Sequence, residues 1–286
     1  GAEVIKLEPP ESDADVGGVH WGIKSSMRSW DYRRLLDACL PALLDTDDDR
    51  TLDLLITTLL RVLSLPSNHG PDYFSWSWRP AIEDHEQNSD REQVGALLTA
   101  TRRAAEYVAG KGDDALTATV ERLAETATAV GDRLMLHVVR LFARDGSEIL
   151  ASTLVDQTRI GQIDCHHEYW MLLHDRYKNL VPEDRSRLIN LISSGPDFDE
   201  DVSDEDKATF REGWIRRYLA ALDGQLTEAD HESLDALAPD LDPQWHPEFL
   251  VYGSSGGYGT TSPIDSDDLS SRSTDEILSF LATWQP

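Results

Sequence analysis

Asp164-Cys165-His166-His167-Glu168 gathers carboxylate, thiol and imidazole side chains in one short run, a concentration of metal-ligand types at a predicted helix start. A hydrolase built on such groups needs an ion held by imidazole and carboxylate, with a bound water to activate. On a helix the usual arrangement is H-E-x-x-H, which sets two imidazoles one turn apart on one face. Here the position that should hold the second imidazole is Met171, and the next histidine is His174. Adjacent helical side chains diverge by about 100°, so His166 and His167 are not expected to share an ion, and no metal ligand is assigned. A metal-dependent hydrolase using Asp164 to His167, or Glu83-Asp84-His85, stands as the enzymatic alternative.

Other chemical motifs fail on context. Gly253-Ser254-Ser255-Gly256-Gly257 spells G-x-S-x-G, but Tyr258 to Pro263 does not continue as the helix that a nucleophile elbow opens. No histidine follows His246 to serve as its base. The glycine cluster also lacks the lysine of a phosphate loop. The runs Asp45 to Asp49 and Asp197 to Asp206 resemble calcium loops in composition alone: neither has glycine at its sixth position, and the twelfth is Ile56 or Ala208 in place of a bidentate glutamate. They read as solvated carboxylates at helix starts, favoured by the helix dipole. The expectation is therefore no catalytic residue and no cofactor.

Arg133, His137, Arg140 and Arg144 follow i, i+4, i+7, i+11 spacing on a helix that is otherwise apolar, from Leu134 to Phe142. They form a narrow basic stripe, read either as a partner-binding face or as arginines paired with carboxylates of the neighbouring helix. The run from Trp76 to Asn88 is the least helical stretch of the central chain, interrupted by Pro80 and preceded by Pro66, Gly70 and Pro71. Trp76, Trp78, Pro80 and Ile82 suit it to plug a gap between helical layers, with Arg79 pairing locally with Glu83 or Asp84. Its polar members, Arg79, Glu83, Asp84 and His85, join the stripe as the expected partner-binding set.

Composition narrows the classes further. Asp+Glu number 53 against Lys+Arg 26, a net charge of -27. The acid is mostly aspartate, and no lysine follows Lys207. This composition resembles that of proteins from salt-loving archaea, and it gives no support to nucleic acid or anionic membranes as partners. In molar salt the Debye length is about 3 Å, so nucleic acid stays possible but unsupported. Cys39 and Cys165 make no disulfide framework and fit a reducing cytoplasm. No run is apolar enough to span a membrane, and the initial Gly suggests a piece of a larger protein.

The elements that must position these residues are helices. Apolar periodicity predicts a first helix around Leu35 to Leu43, broken or bent at Pro41, and a second from about Asp49 through Leu63. An insertion follows over 66–89. Further helices are expected at roughly 90–109, 113–128, 131–144, 147–157, 165–180, 183–194, 204–223 and 227–237, separated by glycines. Starts near 90, 131, 165 and 204 are roughly 34–41 residues apart, which suits an all-α solenoid of HEAT or armadillo-like hairpins, with a compact bundle as the alternative. The expected division is an arm over 1–29, a helical-repeat domain over 30–242, and an irregular segment over 243–286. The last contains a capping box at Ser273-Thr274-Asp275-Glu276 and a final helix that caps the stack.

Trp78 to Asn88, His167-Glu168-Tyr169, Ser194-Gly195-Pro196-Asp197, Trp214 with Arg217, His246 to Leu250, and Ser262-Pro263-Ile264 leading to Leu269 and Trp284 together carry a family likeness. They resemble the C-terminal HEAT-like helical regions of large multidomain prokaryotic proteins, which often carry an NTPase or effector domain upstream and are associated with defence. The resemblance implies no catalytic residue. It implies a noncatalytic scaffold or recognition module, cytoplasmic, whose partner is a protein or an upstream domain of the same parent chain.

Overall fold

The computed structural model describes residues 27–64, 72, 74–88, 93–196, 202–228, 230–231, 246–253 and 272–283. The described residues are helical with short irregular connections, and no strand occurs among them. The helices are α1 (Ser29–Leu63), α2 (Ser75–Trp78), α3 (Gln93–Ala109), α4 (Asp113–Ala124), α5 (Ala129–Phe142), α6 (Glu148–Leu154), α7 (Gln157–Ile160), α8 (His166–Arg176), α9 (Pro182–Ser194), α10 (Asp204–Ala221) and α11 (Thr274–Thr283). The chain is thus all-α, as its periodicity predicts. The single turns α2 and α7 are too short to produce a periodic signal.

The expected break at Pro41 is not where the first helix bends. Pro41 is exposed inside α1, and the kink lies at Asp47, whose backbone is extended (φ −162°, ψ 88°). Side chains satisfy the backbone there: Asp47 Oδ1 accepts the Arg50 N–H at 3.1 Å, while the Thr51 hydroxyl donates to the Asp47 carbonyl at 2.7 Å. The first aspartate run therefore starts the second half of α1. Asp48 and Asp49 then pair with Lys111 and Arg122.

In the helical unit α1 packs on α3, α3 on α4, α4 on α5, α5 on α8, α8 on α10, and α10 on α9. The centre is α5, buried from Val130 to Val139 apart from Asp132, with Arg133 and His137 included. Its start is fixed twice over. The Thr128 hydroxyl accepts the Gly131 N–H at 3.0 Å, and the Asp72 carboxylate accepts the Ala129 and Val130 N–H groups at 3.0 Å each. Gly131 is required by space, since a Cβ there would lie 1.9 Å from Thr126 Oγ1 and 2.8 Å from the Leu123 carbonyl. Asp72 thereby ties the insertion to the start of α5.

Two compact units divide at Tyr252 and Gly253. His246 to Tyr252 belong to the helical unit, not to the C-terminal segment that the sequence places from 243 onward. Phe249 is the reason: it is buried, and its ring stacks on His167 with centroids 4.2 Å apart. In the second unit the capping box forms, the Ser273 N–H donating to Glu276 Oε2 at 2.8 Å at the start of α11. Pro66 to Pro71, Asp197 to Asp201, the serine motif after Gly253, Ser262 to Leu269, Trp284 and most of the predicted helix 227–237 lie outside the described residues.

Candidate functional site

The functional candidates converge where residues 79–88 lie against α5 and α8. The innermost contact is an ion pair between Arg133 and Glu168, with side chains 0% and 1% exposed. Arg133 Nε donates to Glu168 Oε2 and Nη2 to Oε1, both at 2.8 Å, a bidentate fork that fixes both planes. The remaining capacity of the pair is spent on the loop. Arg133 also donates to the carbonyls of Arg79 (2.7 Å) and Pro80 (3.1 Å), and Glu168 Oε1 accepts the Ile82 N–H at 3.0 Å. Arg79 is buried too, donating to the Ala81 and Ile82 carbonyls at 2.8 and 3.0 Å. Backbone groups that no helix or sheet satisfies are thus paired with buried charges, which is how an irregular segment can lie inside a protein.

Around this clasp runs a second polar layer. Glu83 Oε1 meets His167 Nε2 at 2.9 Å and Arg140 Nη1 at 3.4 Å. Burial works to raise the Glu83 pKa, but the His167 hydrogen bond and the charges of His167 and Arg140 hold it below the ordinary carboxylate range. His137 Nε2 lies 2.7 Å from Glu106 Oε1, and its Nδ1 faces Glu83 Oε2 across 3.9 Å. Arg102 reaches Asp84 at 2.9 Å, and Arg140 Nε lies 3.1 Å from Asp175. Outermost, His85 approaches Phe249 (4.8 Å) and Tyr252 (6.1 Å), and Glu86 accepts from the Tyr252 hydroxyl. Beside them a shallow depression is lined by Pro80, His166, His167, Phe249, Leu250 and Val251, with exposed Ile163 and Val251 at its edge.

The geometry corrects the expected partner-binding set. Arg133, His137 and Arg79 are buried and engaged within the chain, so they offer no face to a partner. Arg140 is mostly covered by Glu83 and Asp175. Of the stripe, Arg144 alone is openly exposed, and it pairs with Asp113 at 2.8 Å. An arginine stripe on an otherwise apolar helix here marks a buried polar seam, because the insertion and α8 bring carboxylates and carbonyls to it. From the insertion, Asp84 remains exposed and His85 half-buried.

The Asp164 to His167 run also divides. His166 turns to the Pro247 carbonyl at 3.1 Å, and burial, reinforced by the Arg217 charge, lowers its pKa to about 4. Cys165 is buried, and burial pushes its thiol far above the ordinary value, which removes it as a nucleophile. Only His167 and Glu168 face the clasp. Among the described residues, a grouping able to hold a metal is Glu83, His167 and Glu168, with ligand atoms within 4.8 Å of one another. Glu106, which completes the site, is not marked by the sequence: it is an ordinary helix residue until the fold brings it there, whereas Phe249 stands in the His246 to Leu250 run. Glu168 stands in the ligand-rich run, yet nothing in the run points to Arg133 as its partner. No protein-family model matches the chain, and no match is found among the curated proteins or the solved structures.

Proposed function

We propose that the chain is a noncatalytic α-solenoid of HEAT or armadillo-like hairpins that serves as a recognition module and presents the tip of the 79–88 loop to a protein partner. Support for the solenoid comes from α3 on α4, α4 on α5 and α9 on α10, where successive helices are also neighbours in space. One observation carries the recognition role: the loop backbone is held from within by Arg133 and Glu168, while its outer face is left to solvent. Asp84 is 81% exposed at its side chain and stands near Glu86, and Val251 is 68% exposed beside the shallow depression. A loop fixed by a buried clasp loses little further entropy on binding, which is the advantage of a preorganised surface. Carboxylates beside an apolar depression suit a protein segment that carries basic and aliphatic side chains.

The test compares the chain with an Asp84→Lys/Glu86→Lys/Val251→Glu variant, and with Arg144→Glu as a distant control. Proteins of the source cell are captured on each and identified, then assayed singly with purified candidates. The expected result is a partner bound by the wild type and the control but at least about tenfold more weakly by the triple variant. Equal binding by all three would sink the surface assignment.

A further inference from the structure

We propose that the outer face of the first half of α1 is an interface on which a second copy of this chain docks, with the two α1 helices antiparallel. This goes beyond the recognition role and stands whether or not the loop tip binds a partner. Between Trp30 and the kink at Asp47, α1 is apolar on two sides. Tyr32, Leu40 and Leu44 are buried, and α3 is the helix packed along α1. On the other side Leu35, Ala38, Cys39, Ala42, Leu43 and Thr46 recur at three- and four-residue spacing, and all are exposed. Leu35 is 43% and Leu43 49% exposed, and Thr46 spends its hydroxyl on the Ala42 carbonyl at 2.7 Å. An outermost helix in a stack stays soluble by turning a polar side outward, whereas this half of α1 turns leucines outward as well.

The charges that flank the face select the occupant. Arg34 stands beside its start and Asp45 beside its end, both exposed. Their spacing of 11 positions, 34 to 45, is close to three helical turns, so the two lie on one side of the helix. Leu35 and Leu43 likewise stand 4 positions before and after Cys39. A two-fold axis near Cys39 and Leu40, perpendicular to the helix, therefore sets Arg34 of each copy against Asp45 of the other, with the leucines closing over the small side chains of Ala38 and Ala42. A parallel pair would leave Arg34 beside Arg34. The Arg34 guanidinium lies over the Trp30 ring, 4.5 Å from its centroid, which holds it at the edge of the face. The Asp45 carboxylate accepts from the Tyr107 hydroxyl at 3.4 Å and has further lone pairs to offer.

The contact is short. Leu35 to Thr46 covers about 18 Å of helix, less than a permanent dimer uses, so the association is weak and reversible. A net charge of -27 on each copy opposes it by long-range repulsion. Salt screens that repulsion and leaves the apolar contact in place, so dimerisation strengthens as salt is added. The Arg34 and Asp45 pairs set orientation more than affinity.

Sedimentation of the full chain is measured over a range of protein concentrations, in moderate and in molar KCl. A monomer–dimer equilibrium is expected, shifted toward the dimer in molar KCl. Leu35→Lys/Leu43→Lys should weaken it by at least about tenfold, whereas Leu54→Lys, at an exposed leucine beyond the kink, should leave it unchanged. Charge reversal reads the orientation in moderate salt. Arg34→Asp and Asp45→Arg should each associate less than the wild type when alone, and mixing the two should restore association, because both pairs of the mixed dimer are again opposite in sign. A short bismaleimide should link Cys39 to Cys39 in the wild-type dimer, Cys165 being buried. A chain that stays monomeric throughout overturns the proposal and leaves the face to a different protein. So does association undiminished in Leu35→Lys/Leu43→Lys, a mixture of the charge variants that associates no better than either alone, or a dimer in which Cys39 does not link.

Discussion

Two sets of ion pairs in this molecule use the same side chains to opposite ends. Along α1, Asp37 pairs with Arg103 at 2.8 Å and Asp49 with Arg122 at 2.8 Å, while Arg144 reaches Asp113 beyond them; all of these are partly or largely open to water. Such pairs gain little, because solvent screens the charges and ordering long side chains costs entropy. Beneath the 79–88 loop, Arg133 and Glu168 are out of water altogether. There the pair must be complete, since either charge alone would be stranded in a low-dielectric interior. In a chain with 53 acidic residues the carboxylates that organise the fold are therefore few, and they are found by burial and not by abundance.

The largest effect that could break this contrast comes from Glu168. Glu168→Gln or Arg133→Met should cost about 3–5 kcal/mol in chemical denaturation, because each leaves a buried charge unpaired. The double variant Arg133→Met/Glu168→Leu should recover only part of the loss, since the Arg79 and Pro80 carbonyls and the Ile82 N–H would remain without their partners. Full recovery would mean that the pair holds only itself and not the loop.

A smaller effect, separable by pH, is expected where α8 meets His246 to Tyr252. His166 has a folded pKa of about 4 against an ordinary 6.5, from burial first and the Arg217 charge second. The unfolded imidazole takes up a proton that the folded one refuses, so stability should fall as pH drops from about 6.5 to about 4. Glu83 acts with the same sign lower down: its depressed pKa contributes stability above the ordinary carboxylate range that is lost in stronger acid. Thermal melts across this range should show the upper slope in the wild type and a flatter one in His166→Gln. An identical slope in both would mean that other groups carry it.

The smallest effect belongs to the exposed pairs. Arg103→Ala and Arg144→Ala should each change stability by less than about 1 kcal/mol, the difference shrinking further as salt is added. A loss as large as that of Glu168→Gln would erase the distinction between the two regions.

The all-α class was legible in the sequence because apolar residues recur at helical spacing from Leu52 to Leu219, with glycines between the runs. The bend in α1 was legible in part: a second helix was expected from about Asp49, next to the kink at Asp47, but Pro41, expected to break the first, is exposed and tolerated inside the helix. The site was half legible. The stripe on α5 and the run at 164–168 were each visible, and pairing of the arginines with carboxylates was one of the two readings of the stripe, but nothing showed that the run itself supplies the partner of Arg133. That relation is long-range: nothing local in Arg133 tells whether its partner is solvent, a neighbouring helix or a carboxylate 35 positions away. His166 and His167 illustrate the same limit, since both are buried yet they turn to different neighbours.

Eighty-six positions separate Ile82 from the carboxylate that accepts its N–H, and 81 separate His167 from the Glu248 carbonyl. During translation the 79–88 segment thus leaves the ribosome well before α8 exists to receive it, and the Phe249 and Tyr252 rings that meet His85 follow later still. Non-local closures of this kind form late, after the entropy of a long loop has been overcome. The nascent chain carries the Ile82 N–H without its acceptor through that interval, and truncating the chain before Glu168 leaves Arg133 buried with no carboxylate to meet it.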